Sequence, residues 1–90
     1  MSEVYALAFT RQFEKQLERL DRQVAKRILA RLYGLTELED PRSRCKPMTG
    51  PLSGLWHLRT GDSRAIIDIQ QDNLLILALD VDHRSRIYER

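Results

Sequence analysis

Apolar residues recur at helical spacing in two consecutive stretches near the start of the chain. The first stripe contains Phe9, Phe13, Leu17 and Leu20, and the second contains Val24, Ile28, Leu32 and Leu35. Such spacing places each set on one face of a helix. Thr10 and Asp21 are suitable N-caps for the two helices, and Pro41 is expected to end the second. Because the connection between the stripes is very short, we predict an antiparallel helical hairpin.

The rest of the chain has the short alternating or apolar runs that are typical of strands. Val4–Phe9 predicts an opening strand, and residues 40–54 predict a loop because they hold all three prolines. Three further strands are predicted at Leu55–Arg59, Ser63–Gln70 and Leu74–Val81, and together they form an antiparallel meander. The last strand is apolar on both sides, so we expect it to be central in the sheet. The N-terminal strand and the hairpin packed on this meander give a two-layer α+β fold, forming one domain over residues 1–90.

Side-chain alternation in the predicted strand Ser63–Gln70 separates a buried face from an open one. Ala65 and Ile67 share the side that suits the helices, so Arg64 lies on the opposite side. In the preceding strand the same alternation places Trp56 towards the helices and His57 on the open side. The sequence therefore predicts that one face of the sheet carries charged side chains on a partly apolar floor.

Composition narrows the class of protein further. The chain has 90 residues, of which 42% are hydrophobic and 31% charged, which is typical of a globular domain. The longest apolar run, Leu74–Leu79, is far shorter than the roughly 18 residues that a membrane span needs. We expect no membrane partner and no signal peptide, because the N-terminus lacks a basic flank. Cys45 is the only cysteine, which favours a reducing compartment, the cytoplasm.

The balance of charge adds a modest indication of a nucleic-acid partner. The net charge is +2, and 12 of the 15 basic residues are arginine. The guanidinium fork matches phosphate oxygens, whereas lysine acts as a point charge. A solvated, arginine-rich surface explains the same composition, so the charge alone leaves both interpretations open.

Few other chemistries fit the residues present. Cys45, His57 and His83 match no metal-ligand spacing, and no glycine-rich phosphate loop is present, so we predict neither metal nor cofactor. Cys45 lies between two cations that favour its thiolate, but no base or oxyanion site accompanies it. Arginine, histidine and tyrosine suit metal-free cleavage of RNA, in which the 2′-hydroxyl is the nucleophile. Simpler interpretations remain: a cross-strand ion pair for Arg64, a half-exposed strand residue for His57, and a tail staple for Tyr88.

Specific segments resemble a known family. They are Leu7–Thr10 leading into a helix, the string Leu-x-Gly-Leu-Trp-x-Leu-Arg-x-Gly-Asp-x-Arg over residues 52–64, and His83-Arg84 followed by Tyr88. This arrangement resembles the RelE/ParE toxin superfamily of bacterial toxin–antitoxin systems, and the similarity covers nearly the whole chain. The resemblance implies a RelE-like fold and a ribosome-dependent ribonuclease that cuts mRNA in the decoding site. It also implies a cognate antitoxin that blocks the toxin.

The resemblance also implies roles for individual residues. Arg64 would stabilise the scissile phosphate, and His83 and Arg84 would transfer a proton and neutralise the leaving group. Tyr88 would orient the substrate, and His57 is a second candidate for acid–base catalysis. Residues expected to hold RNA are Arg42, Arg44, Lys46, Arg59 and Arg86.

The chain also departs from the pattern of this superfamily. Ser63 and Ile67 stand where members often have tyrosine, and Asp82 stands where glycine commonly precedes the His-Arg pair. Two alternatives therefore remain beside the nuclease: a ParE-like inhibitor of DNA gyrase, and an inactive member that only binds an antitoxin. The presence of Arg64, His83, Arg84 and Tyr88 favours the nuclease, because a gyrase inhibitor has no need of that set.

Overall fold

Across residues 4–83, which the computed structural model describes, five strands form one sheet in the order β1-β5-β4-β3-β2. The strands are β1 (Ala6–Phe9), β2 (Lys46–Pro47), β3 (Trp56–Thr60), β4 (Ser63–Gln70) and β5 (Leu75–His83). Strands β2 to β5 pair antiparallel, and β1 joins the edge parallel to β5. With the helical hairpin packed on one face, this architecture confirms the predicted α+β fold and the interior position of β5.

Helices α1 (Arg11–Glu18) and α2 (Arg22–Leu35) begin at the predicted caps. The Thr10 hydroxyl accepts a hydrogen bond from the Phe13 N–H at 3.1 Å, and the Asp21 carboxylate accepts one from the Gln23 N–H at 3.0 Å. These bonds satisfy N–H groups that the first turn of a helix leaves without partners. Neither helix, and no other in the described part of the chain, is long and apolar enough to cross a membrane.

Helix α2 ends at Leu35, so the prediction that it continues to Pro41 is wrong. The Thr36 hydroxyl donates to the Tyr33 carbonyl at 2.6 Å, and the Thr36 carbonyl accepts from the Tyr5 N–H at 3.0 Å. The second bond ties the end of α2 to the chain just before β1. A proline prevents a helix from continuing past it but does not prevent the helix from ending earlier. In α2 the helix ends earlier, at the residue before this tertiary contact.

The predicted loop over residues 40–54 contains more regular structure than expected. It holds two short 3-10 helices, Pro41–Arg44 and Gly50–Leu52, and the edge strand β2, in which Lys46 pairs with His57. A two-residue strand has no periodicity for the sequence to reveal. Proline is tolerated in such a strand because an edge position does not require its missing N–H.

The predicted faces of β4 are confirmed by burial. Ala65 and Ile67 are buried beneath the helices, whereas Arg64 is exposed on the other side. On β3, Leu58 is buried and Trp56 packs partly buried against the same core. The largest fully buried side chains, apart from Pro41 and Ser63, are Phe13, Ile28, Leu32, Leu58, Ile67 and Ile76.

A β-bulge in β5 changes the alternation near the end of that strand. The register shifts between Ile66 and Ile67, which pair with Asp80 and Ala78, and the next buried residue after Ala78 is Val81. Strict alternation would turn Asp80 towards the core, where an unpaired carboxylate is costly. The bulge instead leaves Asp80 only partly buried and opposite the open-face residue Ile66.

Helix α1 covers the part of the β5 edge that β1 does not reach. The Gln16 Oε1 atom accepts a hydrogen bond from the Val81 N–H at 3.0 Å, and the Thr10 hydroxyl donates to the Leu79 carbonyl at 3.1 Å. Backbone groups left unpaired at a partly buried edge cost free energy, so these side chains take the place of a neighbouring strand. The end of β5 and the start of α1 therefore hold a fixed relative position.

Replacement of Ile67 by alanine is expected to lower the free energy of unfolding by about 2–5 kcal/mol, because it leaves a cavity in the core. Ile66→Ala is the matched control on the open face, where the side chain is only partly buried, and should cost much less. Urea denaturation of the two variants measures both values. Equal losses would contradict the assignment of the two faces of β4.

Candidate functional site

Basic residues on the open face of the sheet form two adjacent cross-strand pairs. Arg59 on β3 lies directly opposite Arg64 on β4, and Lys46 on β2 lies directly opposite His57 on β3. Directly opposed residues have Cβ atoms about 4.5–5.5 Å apart, and like charges in such pairs are destabilising. We refer to these four residues as the basic face. Two opposed arginines gain nothing from each other, so this pair is a candidate for binding an anion.

A two-residue turn, Gly61-Asp62, sets the register that opposes the arginines. It joins Thr60 to its pairing partner Ser63, so the next pair outwards is Arg59 with Arg64. Gly61 has φ of +61°, as the tight turns that match the twist of a hairpin require. A side chain at this position would be strained, because L residues rarely adopt positive φ.

The surroundings of His57 favour its neutral form. Partial burial lowers the pKa of its imidazole below the ordinary value of 6.5, and the nearby charges of Arg64, Lys46 and Arg59 lower it further. The Nδ1 atom is inaccessible to solvent and has no hydrogen-bond partner among residues 4–83. A second proton on the ring would add charge beside three cations. His57 is therefore unprotonated at neutral pH, the state in which a histidine can accept a proton.

Carboxylates border the basic face on the β5 side. Asp82 pairs across the sheet with Arg64, and Asp80 pairs with Ile66. Asp80 is a residue of this region that the alternation pattern did not identify, because only the bulge brings it there. The sequence did contain one signal. Asp80 directly follows the apolar run Leu74–Leu79, and strict alternation along the strand would bury its carboxylate.

Two residues predicted to bind RNA lie apart from the basic face. Arg42 makes a bidentate pair with Asp40, with Nε–Oδ1 and Nη2–Oδ2 distances of 3.0 Å. Hydrogen bonding to Arg42 lowers the pKa of Asp40, and the same pair raises the pKa of Arg42. Arg44 lines a pocket with Arg31 and Leu35 of α2. Of the predicted RNA-binding residues, Arg59 is thus directly opposite Arg64, and Lys46 lies two strands away on the same face.

Cys45 is not an activated thiol. Its Sγ–H donates to the Pro41 carbonyl at 3.5 Å, and burial raises the pKa of the thiol to about 11. The flanking charges of Arg44 and Lys46 do not offset that burial. The thiol is therefore protonated at neutral pH and is a poor nucleophile.

The remaining predicted site residues fall at the C-terminal end of the chain. Arg84, Arg86 and Tyr88 lie outside the described residues. His83 is the last residue of β5, and its backbone pairs with Ser63, next to the pairing of Asp82 with Arg64. The chain thus reaches position 83 beside Arg64, at the edge of the basic face.

The chemistry available at this site follows from its shape and charge. Arg59, Arg64 and Lys46 are exposed, and the face lies on a sheet rather than in a deep cavity. Two guanidinium groups side by side suit the oxygens of a phosphate, and a neutral histidine next to them suits proton transfer. The described residues therefore have the chemistry that an anion clamp and a base require, on a surface open to a large ligand.

Comparison with solved structures places this architecture among small toxins with two helices on a five-stranded sheet. The RelBE2 toxin–antitoxin complex from Mycobacterium tuberculosis matches with a TM-score of 0.83 at 24% identity, covering 94% of this chain and 97% of that chain. The archaeal RelE-RelB complex from Pyrococcus horikoshii OT3 matches with a TM-score of 0.72 at 26% identity, covering 92% and 98%. The fold is therefore that of RelE-like toxins.

Sequence comparison then gives the family. The family described as ParE toxin of type II toxin-antitoxin system, parDE, matches residues 7–88. The chain belongs to this family of type II toxins. It is also similar to Toxin RelG of Mycobacterium tuberculosis, with 28% identity over 86 residues that cover 96% of this chain and 98% of the relative.

The pKa of His57, followed by NMR of its imidazole protons, should lie below 6.5. Arg64→Gln should raise it by removing the largest charge contribution, but not fully to 6.5, because burial has the larger effect. Arg11→Gln, which removes a charge from the outer face of α1, is the control and should leave the pKa unchanged. A value in the wild type above 6.5 would contradict the electrostatic description of the site.

Proposed function

We propose that this type II toxin is a metal-independent endoribonuclease that cleaves mRNA on the ribosome. The observation that carries the proposal is the basic face, in which Arg59 and Arg64 oppose each other next to a neutral His57. Opposed arginines repel each other, so their presence together on an exposed surface suits a polyanionic substrate. RNA has the required phosphate and carries its own nucleophile, the 2′-hydroxyl.

The first part of the proposed mechanism is recognition of the scissile phosphate. Arg64 contacts the non-bridging oxygens, and Arg59 across the strand pair adds a second guanidinium group. As the 2′-oxygen attacks, negative charge grows on those oxygens, and donors already in place stabilise it without reorganisation. Lys46 holds the adjacent backbone. Arg42 contributes less, because Asp40 already neutralises its charge.

The second part is proton transfer. His57 takes the proton of the 2′-hydroxyl, the new 2′-oxygen–phosphorus bond closes a cyclic phosphate, and the bond from phosphorus to the 5′-oxygen breaks. The leaving oxygen then needs a proton or a compensating charge. His83 and Arg84 are proposed for this step, since β5 brings residue 83 beside Arg64. Tyr88 is proposed to orient the substrate.

The ribosome is proposed to supply alignment that the toxin lacks. An open sheet face does not by itself hold the 2′-oxygen in line with the leaving group, and such alignment is worth several powers of ten in rate. A message already ordered in the decoding site meets this requirement. Action on translating ribosomes places the toxin in the cytoplasm, and Arg44 and Arg86 are proposed to contact RNA outside the catalytic centre.

A cognate antitoxin is the proposed regulatory partner. The solved relatives from Mycobacterium tuberculosis and Pyrococcus horikoshii are toxin–antitoxin complexes. An antitoxin that covers the basic face or displaces the C-terminal residues would remove the anion clamp or the proposed proton donor. Carboxylates on that antitoxin would also offset the repulsion between Arg59 and Arg64.

Inhibition of DNA gyrase is the second candidate function, because the family that matches this chain is named after the ParE toxin of the parDE system. A gyrase inhibitor requires a binding surface but no base beside an arginine clamp. The two functions differ in the damage they cause: truncated messages for the nuclease, and DNA breaks with loss of supercoiling activity for the inhibitor. A gyrase supercoiling assay run beside the cleavage assay separates them.

Replacement of Arg64 by alanine should lower the rate of ribosome-dependent cleavage by about 10²–10³-fold, because it removes a donor to the transition state. The measurement is primer extension on a defined message in stalled ribosomes. Arg64→Lys should retain part of the activity, because it keeps the charge but loses the fork. Lys26→Ala, which removes one exposed charge from α2, is the control and should cleave normally.

Wild-type activity in the Arg64→Ala variant would remove Arg64 from the mechanism. If folded wild-type protein produces no cuts on ribosomes but inhibits supercoiling, the gyrase function replaces the nuclease. Arg64 is exposed, so its replacement should not unfold the protein. A thermal melt of each variant checks this point.

The protein alone should cut naked RNA far more slowly than the same message on the ribosome, since the basic face lacks walls that align the 2′-hydroxyl. Comparing cleavage rates with and without ribosomes, at equal RNA concentration, measures the difference. Equal rates would show that the toxin aligns its substrate unaided and would contradict the proposed contribution of the ribosome.

A further inference from the structure

Helix α1 presents a row of cations at the edge of the sheet, away from the basic face. Arg11 and Lys15 on the helix and Arg19 at its C-cap follow one another at intervals of four residues, and with Gln12 and Gln16 they line one open groove. Four residues of α-helix rise about 6 Å. The three charges, which we call the α1 stripe, therefore lie along a line of about 12 Å.

The charges of the α1 stripe have no partner in the part of the toxin that the structure describes. Within residues 4–83, none of the three side chains makes an ion pair or a hydrogen bond, and all three are exposed. Glu14 and Glu18 belong to the same helix but do not line the groove. The described lining of the groove thus consists of three cations and two amide side chains, and the Asp80 carboxylate contacts it through Gln12.

The α1 stripe has a fixed position relative to the catalytic centre. Gln16 accepts a hydrogen bond from the Val81 N–H at 3.0 Å, and Gln12 donates one to Asp80 at 3.4 Å, so the groove follows the last part of β5. Strand β4, which carries Arg64, lies on the other side of β5. Neighbouring strands are about 4.8 Å apart, so the backbones of the two sites are separated by on the order of 10 Å.

We propose that the α1 stripe binds the phosphate backbone of ribosomal RNA next to the decoding site, while the basic face acts on the message. This inference depends on the proposed ribosome-dependent function. A row of evenly spaced cations fits the repeated single charges of an RNA strand. A protein partner is less well matched, because protein interfaces depend on apolar anchors and no apolar side chain among residues 4–83 lines this groove.

Helix α2 provides a matched control within the same protein. It carries Arg22, Lys26 and Arg27, which are equally exposed and also number three. They project from the helical layer, whereas the basic face lies on the opposite side of the sheet. If ribosome binding depends only on total charge, loss of the α1 cations and loss of the α2 cations should weaken it equally. If binding depends on a contact at the edge of β5, only loss of the α1 cations should weaken it.

The test compares the triple variants R11Q/K15Q/R19Q and R22Q/K26Q/R27Q with the wild type. Glutamine keeps helix propensity and removes the charge. Binding to purified ribosomes stalled on a defined message is measured over a range of salt concentrations, and cleavage is measured at saturating toxin. Both measurements use intact ribosomes and the full-length toxin.

The α1 variant should bind ribosomes on the order of ten- to a hundredfold more weakly. The slope of log affinity against log salt should fall by about two to three units, since each lost phosphate contact removes roughly 0.7–0.9. Its cleavage rate at saturation should match the wild type, because the stripe does not touch the scissile phosphate. The α2 variant should bind nearly as the wild type does.

Equal weakening of both variants, or unchanged binding of the α1 variant, would overturn the inference, as would a lower saturating rate with normal affinity. In the case of unchanged ribosome binding, weaker capture of the α1 variant by the antitoxin would assign the stripe to that partner. If the wild type binds ribosomes without cutting, the proposed nuclease function fails, and the binding comparison still decides the role of the stripe.

Discussion

The pairing register between β3 and β4 is the constraint on which the rest of the structure depends. The tight turn at Gly61-Asp62 sets it, so that Leu58 and Ala65 meet beneath the helices while Arg59 and Arg64 meet on the opposite side. A slip of one residue would exchange the two faces, burying charge and exposing the core. One short turn thus determines both the stability of the domain and the geometry of its basic face.

The basic face costs stability that the rest of the fold must offset. Opposed arginines repel, and partial burial holds the imidazole of His57 in its neutral form. The helical layer compensates by enclosing a continuous core that includes Phe13 and Ile67, both fully buried. On the other side of Arg64 the strand pairing places Asp82, whose carboxylate is a charge of opposite sign next to the two arginines.

Local signals in the sequence predicted much of this structure. The caps at Thr10 and Asp21 and the faces of β4 depend on neighbouring residues, so they can be predicted from short segments. The early end of α2 depends on a hydrogen bond between Thr36 and Tyr5, which are distant in the chain. The edge strand at Lys46 likewise forms only by pairing with β3, and the bulge before Asp80 only by the pairing of β5 with β4. A pattern within a short segment cannot predict either feature.

For the site, the sequence by itself determined that arginine and histidine would share the open face of the sheet, because alternation along a strand has a period of two. It also determined the family, through the spaced residues between positions 52 and 64. Only the tertiary structure decided that Lys46 joins His57 and that α1 follows the end of β5. These relations join residues through pairing and packing over long chain separations, and the physical reason is that such contacts form only once the sheet and the helices have assembled.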